Sequence, residues 1–333
     1  MRMFRSAVLS AVFAAAILGP AFGTAGSAAA QAYPTRPITL VVPFPPGGAT
    51  DAISRVLVEH MRGTLGQPLV IENVAGGGGN TGIGRVARAE PDGYTLVIGH
   101  WGSHVINGAT YNLPYDLLKD FEPIAWIANT PQWIITRKTL PANNLAELVA
   151  WLKANEDKST VGTIGAAGPG VVAGAYFQKL TGVTLKTYVP YRGGAPAIQD
   201  LVGGQIDLLF DQAANSLSQF RAGNVKVYAV MSPNRWFAAP DVPTVDEAGV
   251  PKLYATYWHG VWAPRNTPRE IIAKLNDALV AALADPVVRD RFINLGQEIP
   301  PREQQTPEAL FAQHKAEIEK WWPIIKAANI KAE

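Results

Sequence analysis

The chain alternates between short, wholly apolar runs and longer amphipathic stretches. Pro37 to Val42 is a β-branched run bounded by prolines, which predicts a strand buried on both faces. A Pro/Gly segment, Pro43 to Gly48, leads into Thr50-Asp51. A helix is then predicted through about Arg62, with Ile53, Val56 and Leu57 on one side. Leu69–Ile71 reads as a second strand, ending in Ala75-Gly-Gly-Gly-Gly-Asn80 and followed by a helix around Gly84–Ala89. After the turn Pro91-Asp-Gly93, Tyr94–Ile98 reads as a third strand. The rhythm restarts with strands at 160–164, 185–189, 206–210 and 225–231. Helices are predicted from the glycine-rich segment 165–170 to Leu180 and at 195–202. The C-terminus reads as helices at 268–283, 286–295 and 307–328, the last kinked by Pro323. Strand, loop and helix in this repeat predict an α/β protein with parallel strands.

One echo stands out. Val42-Pro-Phe-Pro-Pro-Gly-Gly-Ala49 is matched by Val189-Pro-Tyr-Arg-Gly-Gly-Ala195, and both segments leave a strand and enter a helix. With 44–51, 76–82, 165–171 and 191–195, four glycine loops open helices. Each exposes amides that lack an intrahelical partner at the positive end of a helix dipole, a site for an anion that needs no basic side chain. In open α/β sheets such ligands bind at the carboxyl ends of the strands.

Composition narrows the function. The 333 residues carry 29 Lys plus Arg and 27 Asp plus Glu, 48% are hydrophobic and none is cysteine. Nucleic-acid binding, disulfide frameworks, thiolate metal sites and cysteine nucleophiles are excluded. Arg2 and Arg5 precede an uncharged run from Ala7 to Leu18, and small residues follow to Ala30-Gln31-Ala32. This is the layout of a signal peptide, predicted to be cut after Ala32; the apolar run is too short to span a bilayer. Cleavage leaves 27 basic and 27 acidic residues.

Other chemistry is weakly marked. Gly77-x-Gly-x-x-Gly82 fits a dinucleotide fingerprint, but it lies on the second strand and no ribose-binding acid ends the third. There is no Gly-x-Ser-x-Gly elbow and no His-Glu-x-x-His. His100 and His104 read as hydrogen-bonding loop histidines. Asp207 and Asp211, about 13 Å apart in an extended strand, are too distant to share a proton; Asp207 reads as solvated and Asp211 as a ligand contact. Trp101, beside a glycine at a strand end, is placed in a cleft.

Several motifs then occur in a fixed order: Val42-Pro-Phe-x-Pro-Gly-Gly-x-x-Asp51, Gly-Gly-Asn80-x-Gly82, Ala89-x-Pro-Asp-Gly-Tyr94, Lys119-Asp-Phe-x-Pro123, Val189-Pro-Tyr-Arg-Gly-Gly194 and Gly204-Gln-x-Asp207-x-x-x-Asp211. Over the whole mature chain this resembles the extracytoplasmic solute-binding proteins of tripartite tricarboxylate transporters, the Bug family. The resemblance implies a two-lobed type II periplasmic-binding-protein fold, an α/β architecture with hinge-linked domains. Lobe one would be 33–130 plus 259–333 and lobe two 131–258, with crossings at about 126–134 and 256–262. It implies a small organic carboxylate held by main-chain amides of the first loop, which maps to Phe44, Gly47, Gly48, Ala49 and Asp51. A facing loop maps to Ala167, Gly168, Gly170 and Val171, and Asp211 lines the cleft. The family's hydroxyl residues in that facing loop are replaced here by Ala166 to Val171, so Trp101, Ser103 and His104 are expected to supply the opposite wall and to favour an aromatic or extended monocarboxylate; the alternative is that main-chain amides at 168 and 170–172 replace the hydroxyls and a small dicarboxylate binds. A periplasmic, monomeric, non-enzymatic binding protein without cofactor or metal is expected, with the membrane subunits of such a transporter as partners. A sensor docking on a membrane kinase and a hydrolase using Ser103 with His104 are the alternatives.

Overall fold

The computed structural model describes residues 33–332; the signal peptide expectation lies outside them. The apolar runs form the parallel strands. β1 (Ile38–Val42) pairs with β2 (Leu69–Asn73) and β3 (Thr95–His100), with α1 (Ala49–Leu65) and α2 (Asn80–Ala87) in the connections. The glycines at 76–79 all have positive φ and form a tight turn, so α2 starts four residues before the expected helix.

The second half repeats the plan. β5 (Thr160–Ile164) pairs in parallel with β6 (Thr187–Tyr191) and β7 (Leu208–Gln212), and α5 (Pro169–Thr181) and α6 (Gly194–Val202) make the crossovers. Three further helices, α3 (Asn107–Thr110), α4 (Leu145–Ala154) and α7 (Ala213–Arg221), are not among those the sequence pattern predicts.

β4 (Phe121–Arg137) joins the halves. Its residues 121–131 pair antiparallel with β9 (Thr256–Pro264), and 132–137 pair with β7 and β8 (Val225–Val230). β9 also pairs with β3, so among the described residues nine strands run in the order β2-β1-β3-β9-β4-β7-β5-β6, with β8 on β4. The chain therefore crosses twice at one place: Gln132 N–H donates to Ala255 O at 2.9 Å, and Met231 N–H donates to Gln132 O at 2.7 Å. β4 runs parallel to β3 and antiparallel to β7. The carboxyl ends of β1–β3 and of β5–β7 consequently face the same crossing.

α8 (Arg269–Ala284), α9 (Pro286–Asn294) and α10 (Pro307–Ala327) close the fold over the first half. α10 continues through Pro323 rather than ending there, with Trp321 and Ile325 buried on either side of it and Trp322 Nε1 donating to Val105 O at 2.8 Å. Two of the aspartates separate as expected, but Asp207 is not solvated. Its carboxylate takes Arg137 Nε at 2.7 Å and both the amide and hydroxyl of Thr160 at 3.0 Å, because the end of β4 passes beside it.

Candidate functional site

All four glycine loops meet at the crossing. A methyl group on Gly165 would lie 2.5 Å from the Tyr111 hydroxyl and 3.2 Å from Gly78 Cα. One on Gly193 would lie 2.5 Å from Pro45 Cδ, so the two echoed loops touch each other. One on Gly102 would lie 2.5 Å from Pro169 Cγ, at the start of α5. These approaches need glycine because backbone meets backbone or ring across the gap.

The first loop is braced from within. Asp51, 3% exposed, accepts from the Gly47 amide at 3.0 Å, from Arg55 Nε and Nη2 at 2.9 and 3.0 Å, and from Asn73 Nδ2 at 3.0 Å. Burial works to raise its pKa, but these bonds outweigh it and hold the carboxyl below its ordinary value. Asn73 also donates to Phe44 O at 3.1 Å. Phe44 stacks on His100 with ring centroids 4.7 Å apart, and Thr50 Oγ1 lies 3.2 Å from His259 Nε2. Asp51 is thus a brace, and the amide of Gly47 is already taken by it. The Ala49 amide is taken too, by Asn215 Oδ1 of α7 at 2.8 Å, a bond made across the crossing. The first-turn amides of Thr50 and Asp51 are the ones that helix position leaves for an anion. Gly48 has φ −82, and a methyl group there would meet only Asn215 Oδ1 at 3.7 Å, so the backbone is open at this position; the positive φ of +89 belongs to Gly47.

Asp211 reaches the site through another residue. Its oxygens accept from Asn215 Nδ2 at 3.1 Å and Ser216 Oγ at 2.5 Å, and Ser216 in turn accepts from Trp133 Nε1 at 2.9 Å. Burial pushes its carboxyl up to about 7 against those bonds. Asp211 fixes Asn215, and Asn215 touches the first loop.

The second loop has no such brace. Gly165 N–H donates to Tyr191 O at 2.9 Å, and Gly168 caps α5 with Pro169 at the first helical position. Ala167 is 1% exposed, while Val171 is half-buried. Around this loop the structure brings in residues that the sequence did not flag. Gln132 and Gln212 are register partners on β4 and β7 and are 0% and 2% exposed. Both amide atoms of Gln132, Nε2 of Gln212 and Oγ1 of the buried Thr163 lack a hydrogen bond of ordinary geometry. A methyl group on Gly170 would lie 3.2 Å from Thr163 Oγ1, which places that hydroxyl under the start of α5. A polar residue in an otherwise apolar strand, as Gln132 is before Trp133-Ile134-Ile135, was the available signal.

Trp101, Ser103 and His104 lie elsewhere in the packing. Residues 102–106 form a π-helical turn. Trp101 is wholly buried with its ring edge-on to Tyr257 and Trp321. His104 stacks on Trp262 at 3.9 Å and lies over Gly99, where a methyl group would come within 2.1 Å of its ring. Ser103 Oγ lies 3.1 Å from His104 Nδ1 but donates to His100 O at 3.1 Å, and both residues are 0% exposed. They tie a strand end to its following turn. Burial pushes His100 down to about 3 and His314 to about 4, and His104 and His259 well below their ordinary value; of these, His100 and His259 lie against the first loop. Among the described residues no group of three or more His, Asp or Glu is placed to hold a metal ion.

The profile of the tripartite tricarboxylate transporter family receptors, TctC, matches residues 53–330. A UPF0065 protein from the TAR-I ttuE–ttuC′ intergenic region of Agrobacterium vitis is 40% identical over 90% of this chain and 87% of its own. The solved periplasmic binding protein BugD is 41% identical with a TM-score of 0.85, covering 90% of this chain and 100% of that one. MatC from Rhodopseudomonas palustris, solved with bound malate, is 39% identical with a TM-score of 0.84 over 88% of this chain and all of its own. Another R. palustris protein, solved with adipate, is 34% identical with a TM-score of 0.84 over 89% and 98%. These likenesses run through both halves of the sheet and the crossing between them. The chain belongs to the tripartite tricarboxylate transporter receptor family, with that family's two-lobed periplasmic-binding-protein fold.

Proposed function

We propose that this protein captures a small organic carboxylate between its two halves and delivers it to the membrane subunits of a tripartite tricarboxylate transporter. One observation carries the reading. Two helix N-termini, those of α1 and α5, open from glycine loops onto the same crossing, and their loops are linked through the Phe44–His100 stack and the Gly102–Pro169 contact. That arrangement suits an anion held by backbone dipoles. The malate and adipate in the structural relatives support the same ligand class.

In this reading the mature protein starts at Tyr33 and works in the periplasm as a monomer. Residues 33–130 with 259–333 form one lobe and 131–258 the other, and the loops 44–51 and 165–171 grip the ligand. Binding without turnover is favoured over hydrolysis because the Ser103 hydroxyl is sealed and committed to His100 O. The test is to release small molecules from protein taken from the periplasm, identify them by mass spectrometry, and titrate them back by calorimetry. An organic acid recovered unchanged and rebound is the expected result. Conversion of that acid to a product would favour the hydrolase. Recovery of no acid, with none of a C4–C6 acid panel binding, would overturn the reading.

A further inference from the structure

Asn215 and Arg221 of the second half both bond to the first half, and both stand on α7, one in its first turn and one at its last residue. Asn215 Oδ1 accepts from the Ala49 amide at 2.8 Å. Arg221 Nη1 donates to Asn294 O at 3.2 Å, while its Nη2 holds Ala238 O of its own half at 3.5 Å.

Each bond completes a helix end that its own half leaves open. α1 has glycine at its N-cap and no side-chain cap, so Asn215 supplies from across the gap the kind of acceptor that a capping serine or aspartate gives. The cation in the last turn of α9, Arg291, is drawn away to Glu59. Arg221 is therefore the cation that meets the terminal carbonyl of α9, at the negative end of that helix dipole. α1 and α9 pack against each other, so one short helix reaches both ends at once.

The acceptor is aimed. Asp211 Oδ1 takes Asn215 Nδ2 at 3.1 Å, which leaves Oδ1 facing the first loop. A methyl group on Gly194 would come within 2.6 Å of that Nδ2. The carboxamide thus stands between the two echoed loops, and glycine at 194 makes the room for it. Ala49 opens α1, so the second half takes its amide and leaves those of Thr50 and Asp51 to an anion.

Between its ends α7 is loosely seated. A cavity of about 150 Å³ lies along it, with Ala52, Ala214 and Ser218 in its lining. Leu217 and Trp236 do reach the first half at Gly296, where a methyl group would lie 3.0 and 2.3 Å from them. A contact held at its ends across a void lets go without taking a close-packed core apart.

We propose that Asn215 and Arg221 are positioning residues for ligand capture: they make α7 a two-point latch that holds the halves in the arrangement described and sets how long a ligand stays. The proposal rests on the two-lobed reading above and not on which ligand is bound.

The chain has no cysteine, so spin labels can be placed at Arg62→Cys and Gln199→Cys, exposed sites on α1 and α6. Double electron–electron resonance then reads the distance between the halves, without ligand and with malate as the probe. The wild type should show a compact population beside an open one, and Asn215→Ala and Arg221→Ala should each lower the compact fraction about fivefold. Arg221→Lys keeps the cation and should restore most of it. In stopped-flow binding of malate the alanine variants should release about fivefold faster and associate within twofold of the wild-type rate. If circular dichroism shows that Asn215→Ala does not fold, the exposed Arg221 carries the test. Unchanged distances in the alanine variants, a wild type that is only open, a lysine variant that behaves as alanine, or slower association with unchanged release would each overturn the latch and leave the carboxylate reading standing. If malate does not bind, the ligand-free distances decide the latch alone.

Discussion

The two glycine loops that face each other across the crossing are built in opposite ways. Loop 44–51 is tied by its own chain: Asp51 holds Gly47, Arg55 and Asn73, Asn73 holds Phe44, and two neutral histidines support the ring and hydroxyl above them. Loop 165–171 is held by backbone bonds such as Gly165 N–H to Tyr191 O and by close steric approach, with no side-chain brace, and Thr163 Oγ1 beneath it has no hydrogen bond of ordinary geometry. In the proposed reading, a ligand arriving at the first would find a braced loop. If the proposed reading holds, a braced end and a less braced one would couple binding to hinge motion.

Proton chemistry in the buried groups around the first end gives the largest way to test how it is held. The four buried histidines have folded pKa values below the unfolded value of about 6.5. The unfolded chain therefore binds protons that the folded one refuses, and stability falls as pH drops below about 6.5. The loss is about 1.4 kcal/mol per pH unit for each histidine, continuing toward the folded values of about 3 and about 4 for His100 and His314. Urea midpoints at pH 7, 6 and 5 check this; a flat profile would remove the neutral histidines from the first end.

For Asp211, which holds Asn215 against the first loop, the sign reverses. Asp211 titrates near 7 folded and about 3.9 unfolded, so its contribution is fully present below the unfolded value and is lost as pH rises through 7. Relative to Asp211→Asn, the wild type should lose stability from pH 4 to 7, by about 4 kcal/mol at most, and level off above that. A constant difference between the two proteins across that range would contradict the buried, protonated carboxyl.

Two substitutions probe the loops themselves. Gly168→Ala would put a methyl group 1.8 Å from Ile164 O, and thermal unfolding should show a loss of about 3 kcal/mol. Asp51→Ala strips the brace and should cost about 2 kcal/mol, with a drop in ligand affinity seen by calorimetry. Gly48→Ala, by contrast, should change stability by under about 0.5 kcal/mol, since its φ is ordinary and its surroundings are open. Equal effects of Asp51→Ala and Gly48→Ala would mean that the first loop is not braced in the way described.

The outer parts of the fold were legible because their information is local. Apolar runs between prolines and glycines gave β1, β5, α1 and α5 nearly to the residue. β4 was harder to read. Pro123 and Pro131 interrupt it, and its buried face is set by β9 in one half and by β7 and β8 in the other, so no single period describes it. α7 has no side-chain cap and a polar, alanine-rich sequence, and nothing in it announces a helix start. At the site, the four glycine loops were foreseen because φ > 0 and close approach demand glycine. Gln132, Gln212 and Thr163 were not, since an unmatched amide is visible only once its neighbours are in place. Trp101, Ser103 and His104 looked like cleft residues for a related reason: a strand end followed by a glycine does not say to which face the next turn folds.

The paired crossing has a consequence for the chain as a piece of string. Pro131 faces Thr256, and Gln132 N–H reaches Ala255 O. Everything between therefore leaves from and returns to a single point. In genetic terms, residues 132–255 are a segment whose two ends touch. A short loop from 131 to 256 would let the first half close upon itself, and the excised segment could be spliced into another host strand at one peptide's width.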